Sequence, residues 1–374
     1  MILSNKKGYF NYNLILHFLI YWSKKNKFFY NILHFTYRKL IIENIVQKVN
    51  QILLESKFET LCFESISSGR SKYCFDSLVK KEDNIFIVKV FSNIDNLNNS
   101  VIKGIKQLSL LLNSKPLLIG IKNRYQTLED DTIYIREELP FITINTLEKI
   151  LKFNQYPYVL AQRGGVVIFL DGNLLKSLRE EKNLSRKEIS DKLDITKRTF
   201  CSYENESMRP SQKVAEKILD ILEDKSIFRN INVFEWQVKV NFTQEDSSKK
   251  RDLTDFESHL QDVFEDIGVS TIWYKKGQVP FEISISSKNY LLNPEDDFYP
   301  IFSGLSEENT KFSKSNLQNL TTFAKIFHKN AFFIVNNDFK ISDIFNRTGV
   351  QVVKLKELEK IDTEEDFVEF FEET

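Results

Sequence analysis

The chain has 374 residues and carries 52 Lys and Arg against 52 Asp and Glu, so its formal net charge is zero. This length predicts two or three domains, and a hydrophobic share of 42% excludes a wholly disordered chain. The three cysteines are too widely spaced for a disulfide scaffold or a zinc ribbon and fit a cytoplasmic protein, while zero net charge disfavours coating of nucleic acid through bulk charge.

Residues 1–40 are aromatic and basic, and their longest apolar run, from Leu14 to Trp22, is interrupted by His17. A bilayer-spanning helix needs about 20 apolar residues, so this run is too short for one, and no signal-peptide cleavage site follows it. Because a regular amphipathic helix begins only near Ile41, we expect these residues to be translated upstream sequence behind a mis-set start codon. An interfacial membrane anchor and a lineage-specific extension are the alternatives.

Residues 41–155 predict an α/β domain, because helical spacing of apolar residues alternates with short runs rich in β-branched and aromatic residues. The run PLLIGI at 116–121 is continuously apolar, as expected of a strand buried on both faces. The predicted elements are a helix from Ile41, strands at 58–64, 74–79 and 84–91, a helix at 98–112, strands at 116–121, 132–135 and 141–144, and a helix at 146–151.

Residues 229–374 predict a second α/β domain with the same order of elements. CFDSLV at 74–79 resembles PFEISI at 280–285, and NSKPLLIGI at 113–121 resembles HKNAFFIVN at 328–336. We interpret the two domains as a diverged duplication; the alternative is two unrelated α/β domains that share generic patterns. The predicted elements are helices at 255–267 and 314–328, strands at 270–274, 280–286, 289–292, 299–303, 331–335 and 351–355, and an acidic terminal helix.

The central region, residues 156–228, combines a hairpin with an all-helical module. YVLAQRGGVVIFLDG at 158–172 predicts the hairpin, with Arg163-Gly164-Gly165 at its turn. The stretch from 171 to 223 contains helix signals and no strand pattern, and its apolar spacing predicts four short helices.

The helix ends in this module have recognisable signals. Ser185-x-x-Glu188 is a capping box that predicts the start of the second helix. Asp194 lies in a tight turn where a left-handed residue is needed, and Thr196 is the predicted N-cap of the third helix, at about 197–204. Two short helices joined by a three-residue turn form a helix-turn-helix.

The module resembles the lambda-repressor-like, or Cro-type, helix-turn-helix. Ser190 and Asp194 are mild departures, because the family usually has Ala and Gly there. The resemblance rests on the following run of residues: Leu174, Leu178, Arg179, Asn183, Leu184, Ser185, Ile189, Ser190, Leu193, Asp194, Ile195, Thr196, Thr199, Phe200, Tyr203 and Glu204.

The wider arrangement, with an α/β domain, a hairpin, the helical module and another α/β domain, resembles a family of archaeal helix-turn-helix transcriptional regulators. CFDSLV, VKVFSNIDNL and PLLIG in the first α/β domain look like signatures of that family. The resemblance covers about residues 41–374 and implies a transcriptional regulator whose partner is double-stranded DNA. Relatives usually bind palindromic half-sites as two-fold dimers, so it also implies a homodimer.

The resemblance assigns the third helix to the major groove, with its N-terminal residues at the base edges. Lys197, Arg198 and, one turn later, Ser202 fall at these positions. Arg198 suits bidentate pairing with guanine. The candidate contacts to phosphate or to neighbouring DNA groups are Arg186, Lys187, Thr196 and Thr199.

The strand pair CFDSLVKKEDNIFIVKV supports an alternative, a nuclease. Restriction-endonuclease-like folds place an Asp on one strand and an acidic-x-Lys triplet on the next, which hold Mg²⁺ and activate water. Asp76 and Lys89 fit, but Ile87 stands where the second acid belongs, and one carboxylate is a poor Mg²⁺ site. In the second copy Glu282 matches Asp76 and no Lys follows. This pattern predicts a nuclease-like scaffold that has lost its chemistry, or a coincidence.

The sequence therefore predicts a fold that is α/β plus all-α, with two related, degenerate endonuclease-like α/β domains flanking a Cro-type module. It contains no phosphate-cradling Gly loop, no His spacing suited to a metal and no nucleophile elbow, so we expect no cofactor, no metal site and no enzymatic activity. The predicted function is sequence-specific DNA-binding transcriptional regulation, without a membrane partner. The alternatives are a nuclease or DNA-processing factor and an adaptor that no longer binds DNA.

Overall fold

The computed structural model describes residues 27–61, 73–238, 253–274, 277–288, 290, 298–308, 314–341, 345 and 349–372. Helix α1 (Lys27–Glu55) begins well before Ile41, where the sequence predicts its start. No Gly or Pro interrupts residues 27–40, so nothing in that stretch breaks the helix. Over the described residues, none of the helices has the length and apolar content needed to cross a bilayer. The apolar run from Leu14 to Trp22 lies outside the described residues.

The first sheet has eight strands in the order β1-β2-β3-β4-β6-β5-β7-β8, and β3, β4 and β6 are mutually parallel. Its strands are β1 (Glu59–Leu61), β2 (Ser77–Lys81), β3 (Asn84–Asn93), β4 (Lys115–Lys122), β5 (Thr132–Arg136), β6 (Leu139–Ile142), β7 (Val159–Gln162) and β8 (Gly165–Ile168). Helices α2 (Asn99–Leu111) and α3 (Ile144–Phe153) complete the domain.

Both faces of this sheet are buried, and successive residues of β3 contribute to opposite cores. Val88 and Val90 pack in one core with residues of α1 and α3, whereas Ile87 packs in the other with α2. The second core continues without a break into the second α/β domain.

The second sheet has five strands in the order β13-β12-β11-β10-β9. Its strand directions match those of β6, β4, β3, β2 and β1, which supports the duplication inferred from the sequence. The strands are β9 (Ser270–Trp273), β10 (Ile283–Ser286), β11 (Ile301–Ser306), β12 (Ala331–Val335) and β13 (Gln351–Lys354). The later helices of this region are α8 (Asp255–Ile267), α9 (Lys314–Phe327), α10 (Leu355–Leu358) and α11 (Glu364–Glu372).

In the sequence, four helices follow the first sheet and precede the second: α4 (Gly172–Glu181), α5 (Arg186–Leu193), α6 (Lys197–Glu204) and α7 (Gln212–Leu222). The β7–β8 hairpin belongs to the first sheet and also contacts this helical module, because the Ile168 N–H donates to the Pro210 carbonyl at 3.0 Å. Gly164 and Gly165 have positive φ angles and lie at the turn of the hairpin, as predicted.

The chain returns to the first sheet after the helical module. The Ile231 N–H donates to the Pro157 carbonyl at 2.7 Å, and the Phe234 ring packs against the rings of Phe58 and Phe86. Residues 229–238 therefore pack on the first α/β domain, although the sequence assigns them to the second. This return leaves no signal in the sequence, because its contacts join residues that are far apart in the chain.

Replacing Gly304 by Ala tests the packing of the second sheet. A Cβ atom at Gly304 would overlap the buried ring of Phe333, so we expect Gly304→Ala to lower the free energy of unfolding by about 1–3 kcal/mol. Denaturant titration measures this change. The exposed Lys325→Ala on α9 is the control and should stay within about 0.5 kcal/mol of the wild type. Equal stability of the two variants would contradict this packing.

Candidate nucleic-acid interface

The ends of α5 and α6 are fixed by the side chains that the sequence indicates. The Glu188 N–H donates to Ser185 Oγ at 3.2 Å, and the Ser185 N–H donates to Glu188 Oε2 at 2.7 Å, which forms the predicted capping box. The hydrogen bond from the Ser185 N–H holds the pKa of the Glu188 carboxyl below its usual value. Thr196 Oγ1 accepts the Thr199 N–H at 3.1 Å, so Thr196 is the N-cap of α6, as predicted.

The turn between α5 and α6 has the backbone that the sequence predicts. Asp194 adopts a left-handed conformation, with φ of 56°, and its N–H donates to carbonyls of α5. Ser190, which stands where the Cro-type family usually has Ala, is buried and donates through Oγ to the Lys187 carbonyl at 2.9 Å. Both departures from the family pattern are thus accommodated without loss of the turn.

The two helices pack at their turn through apolar side chains from both. Ile189 and Leu193 of α5 and Phe200 and Tyr203 of α6 are buried. They share one core with residues of α4, α7 and the β7–β8 hairpin. The orientation of α6 is therefore set by packing on all of these elements.

Glu204, at the end of α6, is a buried carboxylate that ties three helices together. Only 1% of its side chain is exposed, and it accepts hydrogen bonds from Arg179 Nε at 2.6 Å and from Arg186 Nε at 2.5 Å. Arg179 of α4 is itself buried and also donates to the Leu184 carbonyl at 2.8 Å. Removal of a carboxylate from water is tolerated only when such partners replace the lost hydration.

Sequence reasoning missed this cluster. It used Arg179 and Glu204 only as marks of the family pattern. The available signal was that Arg179 and Glu204 stand among the apolar residues of the family pattern, next to Leu178 and Tyr203. An Arg and a Glu are seldom fully buried unless they pair.

Three of the cationic side chains that are predicted to contact DNA project from α5 and α6 into solvent. Lys187, Lys197 and Arg198 are exposed, and within the described part of the chain none of them forms an ion pair. Lys197 and Arg198 begin α6, where the helix N-terminus adds positive potential. These residues are available to a polyanion.

The other predicted contacts are partly engaged within the protein. Thr196 Oγ1 and Thr199 Oγ1 lie 2.8 Å apart, and Ser202 Oγ donates to the Arg198 carbonyl at 3.1 Å. Arg186 is bound to Glu204, which raises the pKa of its guanidinium, although 35% of its side chain remains exposed. The structure thus gives Arg186 a definite role within the module.

The loop after α6 is held against the hairpin. Arg229 pairs with Glu206 through two hydrogen bonds of 2.6 and 2.7 Å, and Glu206 also accepts the Gly172 N–H at 3.1 Å. The Arg209 guanidinium lies 3.8 Å from the centre of the Phe169 ring. The helical module is therefore fixed to the first α/β domain on several sides.

The nuclease-like residues of the first domain form a closed pair. Lys89 Nζ lies 2.7 Å from Asp76 Oδ1, and their side chains are 14% and 12% exposed. Ile87, where a second acid belongs, is fully buried in the apolar core. Burial raises the pKa of the neighbouring Cys74 thiol to about 12. In the described residues, no group of three metal-ligating side chains is present. Asp76 is already bound to Lys89 and Ile87 contributes no oxygen, so these residues alone do not fit a Mg²⁺ ion, which takes several oxygen ligands.

Two families match parts of the chain. The family described as "Helix-turn-helix" matches residues 175–227, which contain most of α4 and all of α5, α6 and α7. The family described as "PD-(D/E)XK superfamily domain" matches residues 42–157, which contain Asp76 and Lys89. A PD-(D/E)XK-like domain therefore precedes a helix-turn-helix domain in this chain.

Curated relatives of this chain come from archaea. A "Putative HTH-type transcriptional regulatory protein" of Methanobrevibacter smithii is 33% identical over 48% of the chain and 56% of its own length. Relatives of the same description from Methanococcus maripaludis (strain C5) and Methanocaldococcus jannaschii are each 25% identical, over 88% and 87% of the chain and 97% and 95% of their own lengths. The archaeal regulator resemblance is confirmed. No solved structure matches the chain.

Removing the charge of Glu204 tests whether it organises the helix-turn-helix. Glu204→Gln would remove the buried counterion of Arg179 and leave it only the exposed Glu180 carboxylate, so we expect the module to lose about 3–5 kcal/mol of stability. Protease sensitivity between α4 and α7, together with thermal unfolding, measures the loss. Glu180→Gln is the matched control, because it removes an exposed partner of the same Arg179 and should cost less than about 1 kcal/mol. Equal effects of the two changes would argue against an organising role for Glu204.

Proposed function

We propose that this protein is a sequence-specific DNA-binding transcriptional regulator that inserts α6 into the major groove. The observation that carries the proposal is the exposure of Lys197 and Arg198 on the first turn of a helix whose far end is anchored by buried Glu204. The eight residues of α6 span about 12 Å, which is about the width of the major groove of B-DNA. The fixed orientation of α6 limits the loss of conformational entropy on binding.

The proposed contacts divide into base readout and phosphate binding. Arg198 donates bidentately to guanine O6 and N7, Ser202 reaches a base edge from the same face one turn later, and Lys197 reaches a neighbouring base edge. Lys187 binds phosphate oxygens at the start of α5. Thr196 and Thr199 add hydroxyl donors near the N-terminus of α6, where backbone N–H groups favour an anion.

Arg186 is proposed to serve phosphate and Glu204 together. A guanidinium has five N–H donors, and the hydrogen bond from Arg186 to Glu204 uses only Nε. The terminal nitrogens of the partly exposed side chain are able to face the DNA backbone. In this arrangement DNA binding and the internal ion pair reinforce each other, because both keep the guanidinium in one orientation.

The active form is proposed to be a homodimer that binds palindromic half-sites about one helical turn apart. One helix-turn-helix offers few cations, and a neutral chain has little bulk attraction for DNA, so a single module would bind weakly. Two modules on one duplex multiply the affinity through effective concentration. Sedimentation of the free protein and of its DNA complex measures the stoichiometry.

The PD-(D/E)XK-like domain is proposed to have no nuclease activity, which makes the protein a binding factor instead of an enzyme. Asp76 already accepts hydrogen bonds from Lys89 and from the Val90 N–H at 2.7 Å each, so each of its oxygens has a donor within the protein. Ile87 supplies no metal ligand. The second candidate, a nuclease or DNA-processing factor, is favoured only by the match to this superfamily.

Incubation of the protein with supercoiled and linear DNA and Mg²⁺ or Mn²⁺ tests this point. We expect no cleavage by the wild type, because a single occupied carboxylate does not hold the metal. Cleavage that requires the metal and disappears in Asp76→Ala would establish the nuclease. Cleavage that persists in Asp76→Ala would come from a contaminant and would leave the proposal intact.

The Arg198→Ala variant tests the DNA-reading helix. Loss of a bidentate contact should weaken specific binding by about tenfold to a hundredfold and relax the preference at one base pair. Genome-wide mapping of bound sites identifies the operator, and titration of that operator measures the change. Lys325→Ala, which removes an exposed charge from α9, is the control and should bind like the wild type.

The double variant Lys197→Ala with Arg198→Ala decides against the main alternative. If it binds the operator as well as the wild type does, α6 is not the reading helix. If the wild type occupies no sites at all, the protein is an adaptor that no longer binds DNA. Circular dichroism of each variant checks that the helices remain folded.

A further inference from the structure

The second α/β domain covers the side of the first sheet that carries the Asp76–Lys89 pair. The Cys74 N–H donates to the Gln278 carbonyl at 2.7 Å, and Gln278 Nε2 donates to the Ser100 carbonyl at 2.6 Å. The Phe75 ring stacks on Phe323 of α9, with centroids 6.4 Å apart. We call this contact, between residues 73–75 with α2 and residues 277–281 with α9, the interdomain surface.

A continuous path of polar contacts joins the ion pair to the second domain. Lys89 Nζ donates to Asp76 Oδ1 at 2.7 Å and to the Tyr73 carbonyl at 3.2 Å. The Tyr73 hydroxyl accepts Asn319 Nδ2 of α9 at 2.8 Å. Lys89 therefore holds the segment that begins the interdomain surface, from a position inside the first domain.

The two copies differ at this lysine but not at the acid. The Asp76 N–H donates to Val88, and Asp76 Oδ2 accepts the Val90 N–H at 2.7 Å. The same two bonds recur in the second copy, where the Glu282 N–H donates to Ser303 and Glu282 Oε2 accepts the Leu305 N–H at 3.1 Å. The acid thus has a backbone role in both copies.

Alignment through these bonds makes Gly304 the counterpart of Lys89. A side chain at Gly304 would overlap the Phe333 ring, so the second copy has no room for the lysine. Residues 279–281, the counterpart of residues 73–75, also lie in the interdomain surface, but only the first copy holds its segment with a lysine. Lys89 donates to the Tyr73 carbonyl, so a lysine that the superfamily pattern would assign to chemistry contacts the segment that docks the second domain.

We propose that Lys89, held by Asp76, is a positioning residue that fixes residues 73–75 for docking of the second α/β domain. The second domain then seals this side of the sheet. Docking rests on contacts inside the chain and does not depend on the DNA-binding function proposed above.

Thiol reactivity of Cys74 tests the proposal, because Cys74 is buried within the interdomain surface with 1% of its area exposed. In a full-length background with Cys62→Ser and Cys201→Ser, the rate of reaction with Ellman's reagent reports opening of this surface. We expect Lys89→Met to react at least about tenfold faster than the background protein at the same pH, because the segment loses its anchor. Asn319→Leu, which cuts the far end of the path, should act in the same direction.

Val49→Ala is the matched control, because it removes packing from the opposite core of the same sheet. Denaturant titration measures the free energy of unfolding of each variant. The rates of Cys74 reaction are then compared between variants that have lost the same amount of this free energy. Fast reaction of Cys74 in Lys89→Met and Asn319→Leu, with slow reaction in Val49→Ala, supports the proposal. The proposal is overturned if Lys89→Met and Asn319→Leu react as slowly as the background protein, or if Val49→Ala reacts as fast as they do. If Lys89→Met does not fold, Asn319→Leu alone decides.

Discussion

The helix-turn-helix depends on the desolvated carboxylate of Glu204. A charged group in this position is tolerable only with partners on several sides, and Arg179 and Arg186 supply them from α4 and α5. Apolar packing of Phe200 and Tyr203 holds the helices close, but it is nondirectional, so small rotations of one helix against another cost little free energy. The ion pairs are directional, so they select one orientation of α6 and with it one presentation of Lys197 and Arg198.

Asp76 obeys the same constraint in a different setting. Its oxygens accept the Lys89 ammonium and the Val90 N–H, as a buried carboxylate must, and the equivalent Glu282 accepts a backbone N–H in the second copy. An acid retained in a nuclease-like position is therefore explained by the needs of the strand pair. Ile87 stands where the second acid belongs and leaves this backbone contact undisturbed, so the strand pair does not require that acid for its own structure.

Most of the site could be predicted because local sequence signals determine it. The rest could not, because it depends on contacts between residues that are far apart in the sequence. The capping box at Ser185 and Glu188, the left-handed Asp194 and the N-cap Thr196 are each decided by residues within one turn, so the sequence was sufficient for them. The pairing of Arg179 with Glu204 spans 25 positions, and the return of Phe234 to the first sheet spans about 150, so neither leaves a periodic trace. The early start of α1 was missed because regular amphipathic spacing, from which the start was inferred, begins only near Ile41.

The attachment of the helix-turn-helix limits how two modules could bind one duplex. The β7–β8 hairpin leads into the module from the first sheet, and residues 231–234 return from it to the same sheet, with the Arg229–Glu206 pair between them. Because the module is attached to the first sheet at both of its ends, it has little freedom to rotate about a single linker. The spacing of two modules in a dimer is then set by whichever surface joins the chains. The interdomain surface is already filled within one chain, so another surface must join them, and the half-site spacing of the operator would report its geometry.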